Sequence, residues 1–139
     1  MIIKQNCFEA NCIFGWLNVN LGMTLTGYTY MAWHQMKGRI CWAAAITKGN
    51  YEVYVDHFAN TPKWIGRDLI YEFMTFCFNL APRITAQVGS KNKHAIDFLL
   101  RLGFKQEGCV RKSFDGINDT LIFGLLYEEY KQSKFYKED

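Results

Sequence analysis

Between Tyr51 and Val88 the hydrophobic pattern changes period twice, and this change limits what the chain can fold into more than any other feature. Tyr51 to Phe58 alternates, with Val53, Val55 and His57 on one face and Glu52, Tyr54, Asp56 and Phe58 on the other, as a strand requires. After the break Asn60-Thr61-Pro62, the apolar residues Ile65, Leu69, Phe73, Phe76 and Leu80 recur at helical spacing, and Ile70 and Cys77 widen the stripe. Pro82 closes that helix, and Ile84, Ala86 and Val88 restore the alternation. A strand, a helix and a second strand in succession close as a right-handed crossover, which sets the two strands side by side and parallel.

The flanks extend this unit. Downstream of Gly89-Ser90, the residues Ala95, Phe98, Leu99 and Leu102 mark a second helix, with Arg101 in its last turn and Gly103 placed for a left-handed cap. Lys105 to Phe114 and Leu121 to Leu126 then read as a closing β-hairpin around Asp115-Gly116-Ile117-Asn118-Asp119. Upstream, Asn6 to Leu21 is aromatic and weakly periodic and reads as one or two helical segments. Tyr28 to Gln35 and Arg39 to Thr47, with turns at Lys37-Gly38 and Lys48-Gly49-Asn50, form a β-meander that Tyr51 to Phe58 completes. The expected class is α/β: a mixed, mostly antiparallel sheet holding one parallel pair, with flanking helices.

Residues 1–139 suit one domain, since neither a linker nor a repeat divides them. Sixteen basic and thirteen acidic residues are scattered along the chain, which leaves no stripe for tracking nucleic acid but suits a small polyanion where a few positive groups converge. The longest apolar run, Cys41 to Ile46, is far below the ~18 residues of a membrane span, and the stretch Met-Ile-Ile-Lys-Gln-Asn-Cys lacks the basic segment and long apolar core of a signal peptide. Cys7, Cys12, Cys41, Cys77 and Cys109 form no C-x-x-C pair and read as free thiols in a reducing compartment, so the expectation is a cytoplasmic protein. His34 and His94 stand alone, and nothing has the spacing of a metal site.

The stretch Asn92-Lys93-His94-Ala95-Ile96-Asp97-Phe98-Leu99-Leu100-Arg101-Leu102-Gly103-Phe104-Lys105-Gln106-Glu107-Gly108 resembles N-x-x-A-I-x-F-x-x-x-L-G-F-x-x-E-G of the Gcn5-related N-acetyltransferase superfamily. It is most similar to the branch that acetylates ribosomal-protein N-termini and similar amines. The closing hairpin through Cys109-Val110-Arg111 and Ile122-Phe123-Gly124-Leu125 falls where that branch carries its own, so the resemblance runs over roughly residues 50 to 127. It implies the acyl-CoA N-acyltransferase fold, in which the parallel strands splay apart and acetyl-CoA lies in the gap. Its further implication is direct attack of an amine acceptor on the thioester.

The same resemblance implies particular residues. Unpaired backbone along the first splayed strand, up to Phe58, would hydrogen-bond the pantetheine arm as an added strand would. The loop Lys63, Trp64, Ile65, Gly66 and Arg67 and the helix start behind it would hold the pyrophosphate on free N–H groups, and Asn92 would add a contact besides capping its helix. Glu52 lies near where some members carry a carboxylate base. Asp56 and His57 on the same strand are further candidates, a neutral histidine being able to take a proton near pH 7.

Two departures stand out against the family's Gln/Arg-x-x-Gly-x-Gly/Ala loop and its proton-donating tyrosine. Thr61 stands at the Gln/Arg position and Trp64 at the first glycine, with only Gly66 retained, and Leu99 replaces the tyrosine that protonates the leaving thiolate in many members. An alternative expectation follows: a fold-retaining, catalytically degenerate structural or protein-binding module, of the kind found among accessory proteins of tailed bacteriophages, with a protein partner or a second copy as its ligand.

Overall fold

The structure is a computed structural model that describes residues 1–60 and 66–138. Among the described residues, seven strands form one sheet in the order β1-β2-β3-β4-β5-β7-β6. The strands are β1 (Ile2–Lys4), β2 (Tyr30–Met36), β3 (Arg39–Lys48), β4 (Val53–Ala59), β5 (Arg83–Gly89), β6 (Lys105–Val110) and β7 (Thr120–Leu126). Four helices accompany them: α1 (Phe8–Leu21), α2 (Arg67–Leu80), α3 (Lys93–Leu102) and α4 (Tyr127–Lys131).

The meander forms as its turns dictate. Lys37 and Gly38 both take positive φ, 52° and 76°, which is the geometry of a two-residue turn whose twist matches the strands it joins. Asn6 to Leu21 resolves into the single helix α1, ended by Gly22 at φ 66°. Strand β1 and helix α4 are additions to the sequence reading. β1 is three residues long and carries no period of its own. Tyr130, on α4, lies 2% exposed among Phe78 and Tyr136, so that helix is fixed by tertiary packing.

The sheet has an apolar layer on each face. Ala10, Ile13 and Leu17 of α1 pack on Met31, Trp33, Ala43 and Ala45. On the other face Leu69, Phe73 and Cys77 of α2 and Leu99 and Leu102 of α3 pack on Ala44, Ile46, Val53, Val55, Ile84 and Ala86. The sequence supplies both layers because β3, an interior strand, is apolar at consecutive positions, as a strand covered on both sides must be.

The expected parallel pair is present. β4 and β5 are in parallel register at Val53–Ile84, Tyr54–Thr85 and Val55–Ala86 and share no partners beyond. β4 keeps its antiparallel ladder with β3 as far as Ala59, and β5 keeps its own with β7 as far as Gly89. The two strands therefore splay toward their C-terminal ends.

Candidate functional site

The gap opens between two helix starts, because each strand feeds the helix that follows it. Gly66 is the N-cap of α2 and makes no side-chain cap hydrogen bond, which leaves the first-turn N–H groups of that helix without one, and Arg67 stands exposed at its first position. Asn92 caps α3, accepting from the Ala95 N–H at 3.2 Å through Oδ1, as its position in the sequence suggests. Thr61 to Ile65, which include the expected loop residues Lys63, Trp64 and Ile65, lie outside the described residues.

The free edge of β4 can be read from its hydrogen bonds. The carbonyl of Glu52 accepts from Gly49 N–H and the N–H of Asn60 donates to the Cys41 carbonyl, so even-numbered residues of this strand turn their backbone groups to the β3 side. Strand alternation then aims the N–H and C=O of His57 and Ala59 into the gap. Phe58, expected among the cofactor contacts, bonds toward β3 and lays its ring on α1, edge to face with Trp16 at 5.9 Å.

The three candidate bases go to three environments. Glu52 accepts from Thr85 Oγ1 at 2.7 Å and lies 3.9 Å from the Arg83 guanidinium, so its carboxylate is already engaged. His57 faces α3, with its ring 5.8 Å from that of Phe98, and lines a 40 Å³ apolar cavity with Val55, Ile70 and Leu99. Burial there lowers its pKa to about 4, which makes it a weak base. Asp56 is half-buried on the opposite face, in a cavity of 190 Å³ whose other polar walls are Thr26, Thr47, Tyr54, Thr85 and Gln87. No described residue hydrogen-bonds to its carboxylate, and desolvation pushes its pKa above the ordinary value. A carboxylate raised in pKa and facing an open cavity beside a splay is equipped to accept a proton.

Leu99 is 2% exposed and belongs to the core beneath β4 and β5, so no proton donor stands at that position. No local pattern in the sequence marks the wall around Asp56. Thr26 and Thr47 come from segments far from the parallel unit, and only the meander's register brings them beside it. Among the described residues no cluster of His, Cys, Asp and Glu can hold a metal ion, and no helix is long and apolar enough to cross a membrane. Burial pushes the Cys77 thiol up, away from nucleophilic use.

No protein-family model matches the chain, and no curated protein matches it in sequence. Solved structures do match. RimJ of Mycobacterium smegmatis, in complex with CoA-disulfide, superposes with a TM-score of 0.67 at 15% identity, over 96% of this chain and 85% of that one. YncA of Salmonella typhimurium, solved with its cofactor acetyl-CoA, gives a TM-score of 0.68 at 14% identity, over 90% and 92%. A ribosomal-protein-alanine N-acetyltransferase from Brucella melitensis gives 0.66 at 12%, over 91% and 99%. At such identities the likeness is one of fold. The chain has the acyl-CoA N-acyltransferase fold: a mixed, mostly antiparallel sheet with one splayed parallel pair and helices on both faces.

Proposed function

We propose that the chain is an acetyl-CoA-dependent N-acetyltransferase of the Gcn5-related superfamily, acting on a primary amine. The observation that carries this is the splay: β4 loses β5 after Val55 while keeping β3, which leaves a free strand edge at His57 and Ala59 between two helix N-termini. An extended amide-bearing chain fits such an edge as an added strand, and a pyrophosphate fits a helix start. RimJ and YncA, which share the fold, were solved with CoA-disulfide and acetyl-CoA. The five unpaired thiols are in keeping with a reducing, cytoplasmic setting.

On this reading the residues divide the work as follows. Backbone groups of His57 and Ala59 hold the pantetheine arm, Gly66 and Arg67 at the start of α2 take the pyrophosphate together with Lys63, Trp64 and Ile65, and Asn92 borders the gap from α3. Acetyl-CoA supplies an acetyl group activated as a thioester. Asp56 takes the proton that the acceptor nitrogen sheds as it attacks, in preference to the engaged Glu52 and the weakly basic His57. Water protonates the departing thiolate, since Leu99 cannot.

Calorimetric titration with acetyl-CoA tests the reading directly. Saturable heat with one site per chain is expected. If neither the unmodified protein nor Trp64→Gly shows heat or a thermal shift at millimolar acetyl-CoA, the enzyme reading fails and a fold-retaining binding module takes its place.

A further inference from the structure

We propose that the amine acceptor is a small primary alkylammonium with no acidic group on its stem, received in the cavity between residues 25–27 and the α1-side face of β4 and β5. The chemistry of transfer rests on the reading above; the selectivity comes from the walls of the cavity itself.

Size sets the first limit. The cavity measures 190 Å³. At roughly 30 Å³ per water in the liquid, this is the room of about six waters and suits a stem of about that many heavy atoms.

Polarity sets the second. The Asp56 carboxylate can only accept hydrogen bonds, and no described residue satisfies it. The Thr85 hydroxyl has its single proton committed to Glu52 at 2.7 Å and already accepts from Arg83 Nε at 3.0 Å. What it has left for the cavity is a lone pair. The nearby cation is turned away, because both terminal nitrogens of Arg83 bind the carboxylate of Glu107 on β6. No Lys, Arg or His is among the described residues lining the cavity. The Thr26, Thr47 and Tyr54 hydroxyls and the Gln87 amide can turn either way.

A wall of this kind satisfies an ammonium and repels a carboxylate. In so small a cavity an acid group on the acceptor would lie within several ångströms of Asp56, in a medium less screening than bulk water. The reaction balances as follows. The ammonium releases one proton to solvent by way of Asp56, and the freed nitrogen bonds to the acetyl carbon while the carbon–sulfur bond breaks and sulfur leaves with the electron pair. The second amine proton passes to Asp56, and water protonates the sulfur. One proton is released overall.

The test is a binding titration that does not need the cofactor. The threonine methyl resonances of Thr26, Thr47 and Thr85 are followed by NMR while 1-aminobutane or 4-aminobutyrate is added, two acceptors that differ in the acid group. Saturable shifts at all three methyls are expected with 1-aminobutane, at least tenfold tighter than with 4-aminobutyrate, and Asp56→Asn should erase most of that gap. Equal or tighter binding of 4-aminobutyrate overturns the proposal, as does the absence of saturable shifts with either amine. Failure of acetyl-CoA to bind in calorimetry, with the amine preference intact, would instead fell the enzyme reading and leave the cavity's selectivity standing.

Discussion

Thr85 Oγ1 donates to Glu52 Oε1 at 2.7 Å across the parallel pair, from a side chain only 3% exposed. Arg83 closes the set by donating to the same hydroxyl at 3.0 Å, and β4 and β5 are thereby tied together just before they part. Glu52 is on this reading a structural carboxylate and Asp56 the working one. Thr85→Val should lower stability by roughly 1 kcal/mol in chemical denaturation, because it removes a hydroxyl that is itself buried and that hydrogen-bonds both Glu52 and Arg83, two partners that stay partly exposed to water. Asp56→Asn should lower kcat by about 100-fold or more while calorimetry shows the affinity for acetyl-CoA unchanged. A larger rate loss in Glu52→Gln than in Asp56→Asn would exchange their roles.

His57 gives the fold an acid-sensitive segment. Its folded pKa of about 4 lies below the ordinary 6.5, so the folded state resists protonation that the unfolded chain accepts. The stability it contributes is complete above pH 6.5 and is lost as pH falls toward 4, up to roughly 3 kcal/mol. His57→Phe, which keeps an aromatic ring against Phe98, should flatten the melting temperature between pH 6.5 and 4. An unchanged pH profile in that variant would show that His57 is protonated as readily folded as unfolded.

Gly103 and Gly124 are both glycine, for different reasons. Gly103 holds φ at 101° as it ends α3, and an added Cβ there would meet only Leu125 at an ordinary 3.6 Å, so the cost of a side chain is conformational. Gly103→Val should lower stability by about 1 kcal/mol or more. At Gly124 an added Cβ would run into the Glu107 carboxylate and the Arg83 guanidinium that lie across β7. The Arg83 contact holds the Glu107 pKa below its ordinary value, so the stability of this pair is present above the ordinary carboxylate range and is lost as pH falls through the lowered pKa. Gly124→Ala should therefore shrink the acid-side loss of stability as well as the stability itself, whereas Gly103→Val should leave the shape of the pH curve alone.

The parallel unit was legible because each of its elements carries its own period, and so was the cap at Gly103, where an apolar stripe stops at a residue free to take positive φ. The site was less so. Glu52, just ahead of β4, and Asp56 within it fall on one side of the alternation and look equivalent in one dimension, and what separates them is Thr85 and Arg83, which arrive from β5. Phe58 lies on the same face, yet α1 claims its ring, and α1 is apolar nearly all round, which deprives it of a readable inward stripe. In sequence His57 is a possible base, because an unperturbed histidine titrates near neutrality. The apolar cavity that lowers its pKa is built by α2 and α3, which no local pattern at residue 57 records.

The cofactor site yields the last expectation. The start of α2 offers first-turn N–H groups with no side-chain cap, and Arg67 stands exposed beside them. Neighbouring Asp68 is an anion in the same turn, and Lys137 of the C-terminal segment pairs with it and lies over the Tyr71 ring at 5.1 Å. That pairing removes a repulsion a pyrophosphate would otherwise meet there. Lys63→Ala with Arg67→Ala should weaken acetyl-CoA binding by about 1–3 kcal/mol, the size expected for lost charge-assisted contacts. Lys137→Ala should weaken it by a smaller amount, through the exposed charge of Asp68, and raised salt should narrow that difference. Calorimetry at two ionic strengths measures both effects. Binding that is indifferent to all three lysine and arginine changes and to salt would place the pyrophosphate away from the start of α2.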